Sequence, residues 1–381
     1  MNFKPTRTFA YEKLNNFIEK NLIYYSKARN FDYGPDNRAN VSCLSPYISH
    51  GIIREIEVIN KSLKKYSFIK NEKFIQEILW RVYWKGWLEL RPNVWLDYLN
   101  DLKELKENFK NNQNYLNVIE GKTNIDCFNY WVNELKENNY LHNHTRMWFA
   151  SIWIFTLKLP WQLGAEFFMQ HLYDGDTASN TLSWRWVAGI HTNKKPYIAS
   201  KENINKYTKN RFKDFQINIS KQINTIKTNQ HQSNKIPTHI NLPKNDILLM
   251  FENDLNIANR SKLFNSYSKI YILFNELREN KLRLSQNVTN FKKHLIENVN
   301  KLIPNSEIIN SNDIYIILDD LICIDLIYPG VGSNLDFINK YAMRKQININ
   351  YIYREEDLNH WKNATSGFYK FKTSFYSTIS H

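Results

Sequence analysis

The sequence predicts a chain of two unlike halves, an all-helical half followed by a smaller α/β half built on a parallel, Rossmann-like sheet. Three observations predict it. Apolar residues repeat with helical period through roughly residues 1–228, then change to short strand-like runs after residue 244. Ten of the 11 tryptophans fall between Trp80 and Trp186, and only Trp361 lies beyond. Charge divides at the same place: 33 basic against 22 acidic residues up to position 230, and 18 against 15 after it. A chain of 381 residues has room for two domains at roughly 150 residues each.

In the first half Phe74, Ile75, Ile78, Leu79, Val82 and Tyr83 fall on one helical stripe, and residues 126–138, 144–158 and Trp161–Tyr173 continue the pattern. A helical unit of this size and indole content can bury a large planar ligand. Residues 229–243 are polar, contain Pro237 and Pro243 and lack periodicity, which reads as a linker. Beyond it, Asp246–Phe251, Lys269–Phe274, Ile314–Leu318 and Ile347–Tyr351 read as strands separated by helical stretches. The expected organisation is therefore a helical domain over 1–228, a linker over 229–243 and an α/β domain over 244–381. No glycine-rich phosphate loop follows the first strand, so this half names no nucleotide.

Composition excludes several classes. Cys43, Cys127 and Cys323 include no close pair, which removes a disulfide scaffold and a cysteine zinc site; no metal is expected. The N-terminus lacks the apolar core of a secretory signal. The most apolar helical stretch, Trp148–Leu157, is stopped by Lys158 and Pro160, too short to span a bilayer. The expectation is a soluble, cytoplasmic protein. The net charge of +14 raises the prior for a polyanion such as DNA. Part of that excess has a blander source, because the Asn-, Ile- and Lys-heavy composition points to an AT-rich genome. The stretch Thr181–Gln230, with 10 basic and 2 acidic residues, is the strongest local candidate for phosphate contact.

The densest polar constellation runs from Asp174 through Asp176 and Asn180 to Trp184 and Trp186. Taken singly, Asp-Gly-Asp is usually a turn and Trp-Arg-Trp a core helix. Upstream, Asn143 to Met147 opens a helix from which Arg146 can pair with Asp174. Glu77, Trp80 and Arg81 lie at i, i+3 and i+4 of another helix, which in isolation is only an amphipathic pattern.

Together these blocks resemble the FAD-binding domain of the DNA photolyase and cryptochrome family, over roughly residues 9–210. The match rests on Tyr25–Arg29 with Ser42 to Tyr47, Glu77–Trp84, Leu141–Met147, and Trp161 through Trp186 to Tyr197, in the family's order. The resemblance implies FAD as cofactor, with Tyr25, Ser42, Leu44 and Ser45 at the diphosphate and ribityl chain and Arg81 a further contact. Asn143, the Arg146–Asp174 pair and Asp176 correspond to flavin-pocket positions, and Asn180 to the residue facing flavin N5. Trp184 and Trp161 correspond to the first two members of an electron-transfer chain. The third is replaced: Asn108-Phe109-Lys110 stands there, with Tyr115 nearby, so the route is open to truncation, rerouting or a terminal tyrosine. Val41 and Tyr140 are further departures, replacing a common threonine and a common tryptophan.

Glu77, Trp80, Met147 and Trp186 correspond to contacts with a flipped pyrimidine dimer. Methionine at 147 fits cyclobutane-dimer enzymes, and His142 and His144 do not reproduce the histidine pair of (6-4) enzymes. The family usually places an α/β antenna domain first. Here Gly367–Phe375 resembles the segment that closes such a domain, and Asp246–Leu255 its start, which implies an antenna-like domain at the C-terminus with a second chromophore of unknown identity. The leading expectation is a blue-light-driven photolyase acting on DNA with pyrimidine dimers. Alternatives are a cryptochrome-like photoreceptor and a flavoprotein without light chemistry.

Overall fold

The fold is described from a computed structural model, covering residues 3–191, 195–212, 215–217, 229, 231–258, 260–276, 282–319 and 321–379. Part of the basic Thr181–Gln230 stretch, residues 192–194, 213–214, 218–228 and 230, lies outside the described residues.

The first half is helical among its described residues. Its central element is the helix Phe68–Glu89, which buries Phe74, Ile75, Ile78, Leu79, Val82 and Tyr83, the stripe read from the sequence. Of the helices Asp126–Asn138, Asn143–Ser151, Trp161–His171 and Thr177–Val187, the last packs on it directly; Asn143–Ser151 and Trp161–His171 pack in turn on Thr177–Val187, and Asp126–Asn138 on Asn143–Ser151. The three later helices each start where local chemistry permits. Pro160 precedes Trp161, the His142 ring accepts from the His144 amide at 3.1 Å, and Asp176 accepts from the Ser179 amide at 3.0 Å. A π-helical turn, Ile152–Thr156, follows Ser151 and carries Trp153. Residues 231–243 contain no helix or strand, and the Asn234 amide donates to Leu90 O at 2.7 Å.

The second half is a five-stranded, all-parallel sheet in the order β3-β2-β1-β4-β5: β1 Ile247–Phe251, β2 Lys269–Phe274, β3 Ser306–Asn310, β4 Cys323–Ile327 and β5 Asn348–Ile352. The sequence reading placed a strand at Ile314–Leu318. That segment is instead a short helix, Ile314–Ile317, beginning after an Asp313 side chain that accepts from the Asn310 amide at 3.2 Å. A four-residue apolar run carries no period that separates strand from helix. Two real strands went unread. β3 is an edge strand whose residues are mostly exposed and polar. β4 carries a buried Asp325, which accepts from the Tyr267 hydroxyl at 2.9 Å and the Lys244 amide at 2.9 Å.

The sheet packs on both faces. Leu248 and Met250 of β1 join a core continuous with the helical half, whereas Leu249 and Phe251 join a second cluster with Leu326, Phe337 and Tyr341. The first core binds the halves into one body. A Cβ on Gly86 would lie 2.8 Å from Trp361 Cα, so only glycine admits the helix Glu355–Trp361 this close to Phe68–Glu89. Phe371 and Phe368, from the terminal helix Phe368–Ile379, pack on Tyr83 of the same central helix.

Candidate functional site

A cavity of about 370 Å³ opens between the Phe68–Glu89 helix, the Asn143–Ser151 helix and the loop 40–45, within the size range of small-molecule sites. Its walls bring together Tyr25, Ser42, Leu44, Ser45, Glu77, Arg81, Asn143, Arg146, Met147 and Asp174, residues scattered from position 25 to position 174. The loop is held by the Asn40 amide, which donates to Ala28 O at 2.9 Å and Phe31 O at 2.7 Å. Cys43 then turns left-handed at φ +50°, a conformation unfavourable for a residue with a Cβ, between Ser42 and Leu44 on the cavity wall.

Asp174 is the electrostatic centre. Arg146 Nη2 donates to its Oδ2 at 2.9 Å, and the Ser45 hydroxyl donates to the same oxygen. Burial would raise this carboxyl, but Arg146 and the two hydrogen bonds outweigh burial and hold it below the usual range. Arg146 is fixed in turn, with Nε donating to Leu141 O at 2.9 Å and its guanidinium 5.1 Å from the Tyr140 ring centroid. Asp174 Oδ1 is buried without a hydrogen-bond partner among the described residues. An unpaired buried carboxylate oxygen is costly, so this acceptor is held ready for a donor that the protein does not supply.

The same wall carries Glu77. Burial raises its pKa, while Arg29, 3.6 Å away, opposes the shift. A carboxyl kept protonated to higher pH can donate as well as accept. Arg81 donates to Asp176 and, at 3.3 Å, to the Ser179 hydroxyl.

Other predicted residues lie outside this cavity. Both Asp176 oxygens bind protein: Oδ1 caps the Thr177–Val187 helix, and Oδ2 takes Arg81 and the Ser179 hydroxyl. Asn180 is buried, and its Nδ2 donates to Ala165 O at 2.8 Å, which fixes the orientation of the amide. Trp184 is buried against Phe168, Trp153 and Phe149, with its indole Nε1 unpartnered among the described residues. Trp161 stacks obliquely on Tyr98 with centroids 5.5 Å apart. Trp186 lies 5.8 Å from the Tyr197 ring at 26°. Trp80 is covered on one face by Phe368, with centroids 3.6 Å apart and planes within 9°.

Sequence reasoning missed Phe74 and Cys43 as wall residues and the cationic sandwich of Arg38 and Arg146 on Tyr140. The apolar stripe signalled Phe74 only as core. Tyr140 had registered only as a departure from tryptophan.

The donor set fits a flavin dinucleotide. It offers small hydroxyls and loop amides for phosphate, guanidinium groups at Arg81 and Arg146, and an unpaired carboxylate acceptor for an N–H or O–H. Residues 74–243 match the family model for the FAD binding domain of DNA photolyase. The deoxyribodipyrimidine photo-lyase of Buchnera aphidicola subsp. Baizongia pistaciae is 32% identical over 194 residues, covering 50% of this chain and 40% of that protein. The protein of the same name from Vibrio cholerae is 27% identical over 193 residues, covering 49% and 40%. The matched stretch thus spans well under two thirds of these relatives. Among solved structures, a class III photolyase from Agrobacterium tumefaciens aligns at 26% identity and TM-score 0.45, covering 53% of this chain and 44% of that one. A Synechocystis cryptochrome aligns at 21% and 0.46, covering 54% and 44%. Among the described residues no helix is long and apolar enough to cross a membrane. Through its helical half, this chain is similar to the FAD binding domain of the DNA photolyase family.

Proposed function

We propose that the chain binds FAD noncovalently in the cavity of the helical half and acts as a light-driven photolyase on cyclobutane pyrimidine dimers in DNA. The observation that carries this reading is the single cavity. It gathers eight of the ten residues expected at the cofactor, all but Asp176 and Asn180, together with Glu77 and Met147, expected at the lesion.

A reduced flavin held by these residues would supply, in the light, the electron that opens the dimer ring. The chain's own residues prepare that event. Ser42 and the neighbouring loop amides take the phosphates. Ser45, which donates to Asp174, also steadies the carboxylate that meets the flavin. Arg146 keeps Asp174 ionised, so the unpaired Oδ1 would remain an acceptor for a donor group of the flavin. Asn180 lies outside the cavity lining; its donor side is fixed on Ala165, which leaves its carbonyl oxygen as the group assigned to the flavin. Glu77, its pKa raised by burial against the opposing Arg29, offers the flipped base an acceptor or a proton donor, and Met147 supplies an adaptable apolar contact. Trp80 and Trp186 are assigned the aromatic walls of the lesion site.

One observation favours the photoreceptor alternative: Phe368 already occupies one face of Trp80, which leaves a single face for a base. The deciding experiment is a repair assay on dimer-containing oligonucleotides, light against dark, after flavin loading. Light-dependent restoration of undamaged bases is expected. Flavin uptake without repair in the light would transfer the assignment to a photoreceptor.

A further inference from the structure

The ring contacts around Trp184 specify where an electron vacancy on it can go. Its indole meets Trp153, with centroids 6.1 Å apart at 83°. A Cβ on Gly164 would lie 2.3 Å from the Trp184 ring and 3.0 Å from Trp153, so glycine at this position lets both indoles close on the helix Trp161–His171. Trp153 in turn meets Tyr115, centroids 6.2 Å apart at 83°. Trp184 and Trp153 are buried, whereas Tyr115 is half-buried and reaches solvent. The other rings on Trp184 and Trp153 are phenylalanines, which are far harder to oxidise than indole or phenol.

The route through Trp161 is built differently. Among the described residues, no ring contact joins Trp184 to Trp161. Trp161 leads to Tyr98 and then to Trp95, and all three are buried. Trp95 ends the series by donating to Asp336 at 2.7 Å. The Arg185 guanidinium stands 5.9 Å from the Trp161 ring centroid, and a nearby cation opposes a positive vacancy on the ring.

We propose that Trp153 and Tyr115 form the outward branch of a redox relay from Trp184, with Tyr115 as the solvent-side electron donor. The relay rests on the flavin-binding reading above. Trp184 gives one electron to the photoexcited cofactor, Trp153 gives one to Trp184, and Tyr115 gives one to Trp153. Tyr115 releases its phenolic proton to water as it is oxidised. A thiol reductant in the medium then returns an electron and a proton to Tyr115 and is itself oxidised. Burial, with the Glu166 carboxylate nearby, pushes the Tyr115 pKa up to about 12, so the phenol starts this cycle protonated.

The test uses the full chain loaded with FAD and illuminated with dithiothreitol, following the rate of cofactor reduction and the light-minus-dark EPR spectrum. Tyr115→Phe keeps the ring and is expected to abolish a tyrosyl signal and slow reduction by about tenfold or more, equivalent to ~1.4 kcal/mol of barrier. Trp153→Phe is expected to do the same at a buried position, and Trp161→Phe to leave both readouts nearly unchanged. A tyrosyl signal and rate that persist in Tyr115→Phe, or that vanish in Trp161→Phe, overturn the relay. A wild-type chain that takes up FAD without photoreduction also overturns it. A chain that takes up no FAD removes the cofactor reading itself.

Discussion

Each half of the molecule has a concave site, and the two are finished in opposite ways. The helical half leaves a cavity of about 370 Å³ with a buried carboxylate oxygen unpaired. The α/β half has its crevice at the carboxyl ends of β1 and β4, beside the point where strand order reverses, the usual ligand position in open parallel sheets. There only about 80 Å³ remains, room for a few waters. The space is filled from the helical half. Glu89 accepts from the Val331 amide and the Tyr328 hydroxyl, both at 2.7 Å, and His50 bridges Tyr173 O at 3.0 Å and Glu252 O at 3.1 Å. The difference teaches that free volume and an unpaired buried carboxylate oxygen separate an open cavity from a crevice the protein has largely filled with its own side chains. A second chromophore at this switch point would have to displace Glu89.

The largest effect that tests this contrast is expected at Asp254, in the closed crevice. Both its oxygens are taken, by Arg260 at 3.0 Å and by Arg354. Asp254→Ala leaves two largely covered guanidinium groups without this carboxylate, a loss of roughly 3–5 kcal/mol at most. It should appear in the denaturation midpoint of the flavin-free chain, while flavin affinity of the folded protein stays near wild type. A parallel loss of flavin affinity would mean that the two sites are not separable.

The next effect is set by pH. Burial, partly offset by the bonds from Tyr328 and Val331, raises Glu89 from 4.5 to about 7, with Asp357 adding to the shift and Lys85 opposing it. The folded chain therefore holds this proton through the window from 4.5 to about 7, where the unfolded chain has lost it. The stability it contributes is full below pH 4.5 and is lost as pH climbs through 7, on the order of 3 kcal/mol. Glu134, pushed up to about 7 by burial, with Arg38 opposing and Asp32 adding to the shift, titrates in the same window. The readout is accordingly the difference between wild type and Glu89→Gln, which should be flatter with pH. Identical pH profiles would show that Glu89 does not carry this proton.

In the open cavity the corresponding change is Asp174→Asn. Here the lost partner is partly outside the protein, so flavin affinity should fall by the worth of a charged hydrogen bond, about 1.5–3 kcal/mol. The flavin-free chain, which keeps the Ser45 contact, should lose less. Equal losses with and without flavin would assign Asp174 to the protein's own stability.

How much of this contrast was legible in the sequence follows from the range of each interaction. The helix stripe from Phe74 to Tyr83 and strands β1, β2 and β5 showed through periodicity, because their neighbours in sequence decide them. β4 did not, because Asp325 looks wrong for a strand until Tyr267 and Lys244 arrive from elsewhere. The polar edge strand β3 was hidden for the same reason, and Ile314–Ile317 was misread because four apolar residues fit either period. The cavity wall was legible only through family resemblance, since no local signal joins Ser45 to Asp174. The crevice was invisible: nothing around Glu89 announces Tyr328 or Val331.

The smallest effect belongs where the two regions touch. Phe368 comes from the terminal helix of the α/β half, yet it lies flat on Trp80 of the helix that also carries Glu77 and Arg81. Phe368 itself is 3% exposed, so it is packed between elements rather than lying open towards a ligand. That placement makes it a backing for Trp80, and on the proposed reading the base would take the opposite face of the indole. Phe368→Leu preserves apolar bulk and removes the ring pair, worth about 0.5–1.5 kcal/mol. Flavin affinity should not move, because Phe368 does not line the cavity. Affinity for dimer-containing DNA should fall several-fold, within about tenfold for that energy, while affinity for undamaged DNA stays level. Tighter lesion binding would instead identify Phe368 as a competitor for the lesion's own face of Trp80. No change at all would mean that Phe368 does not shape the face of Trp80 that the proposal offers to the lesion.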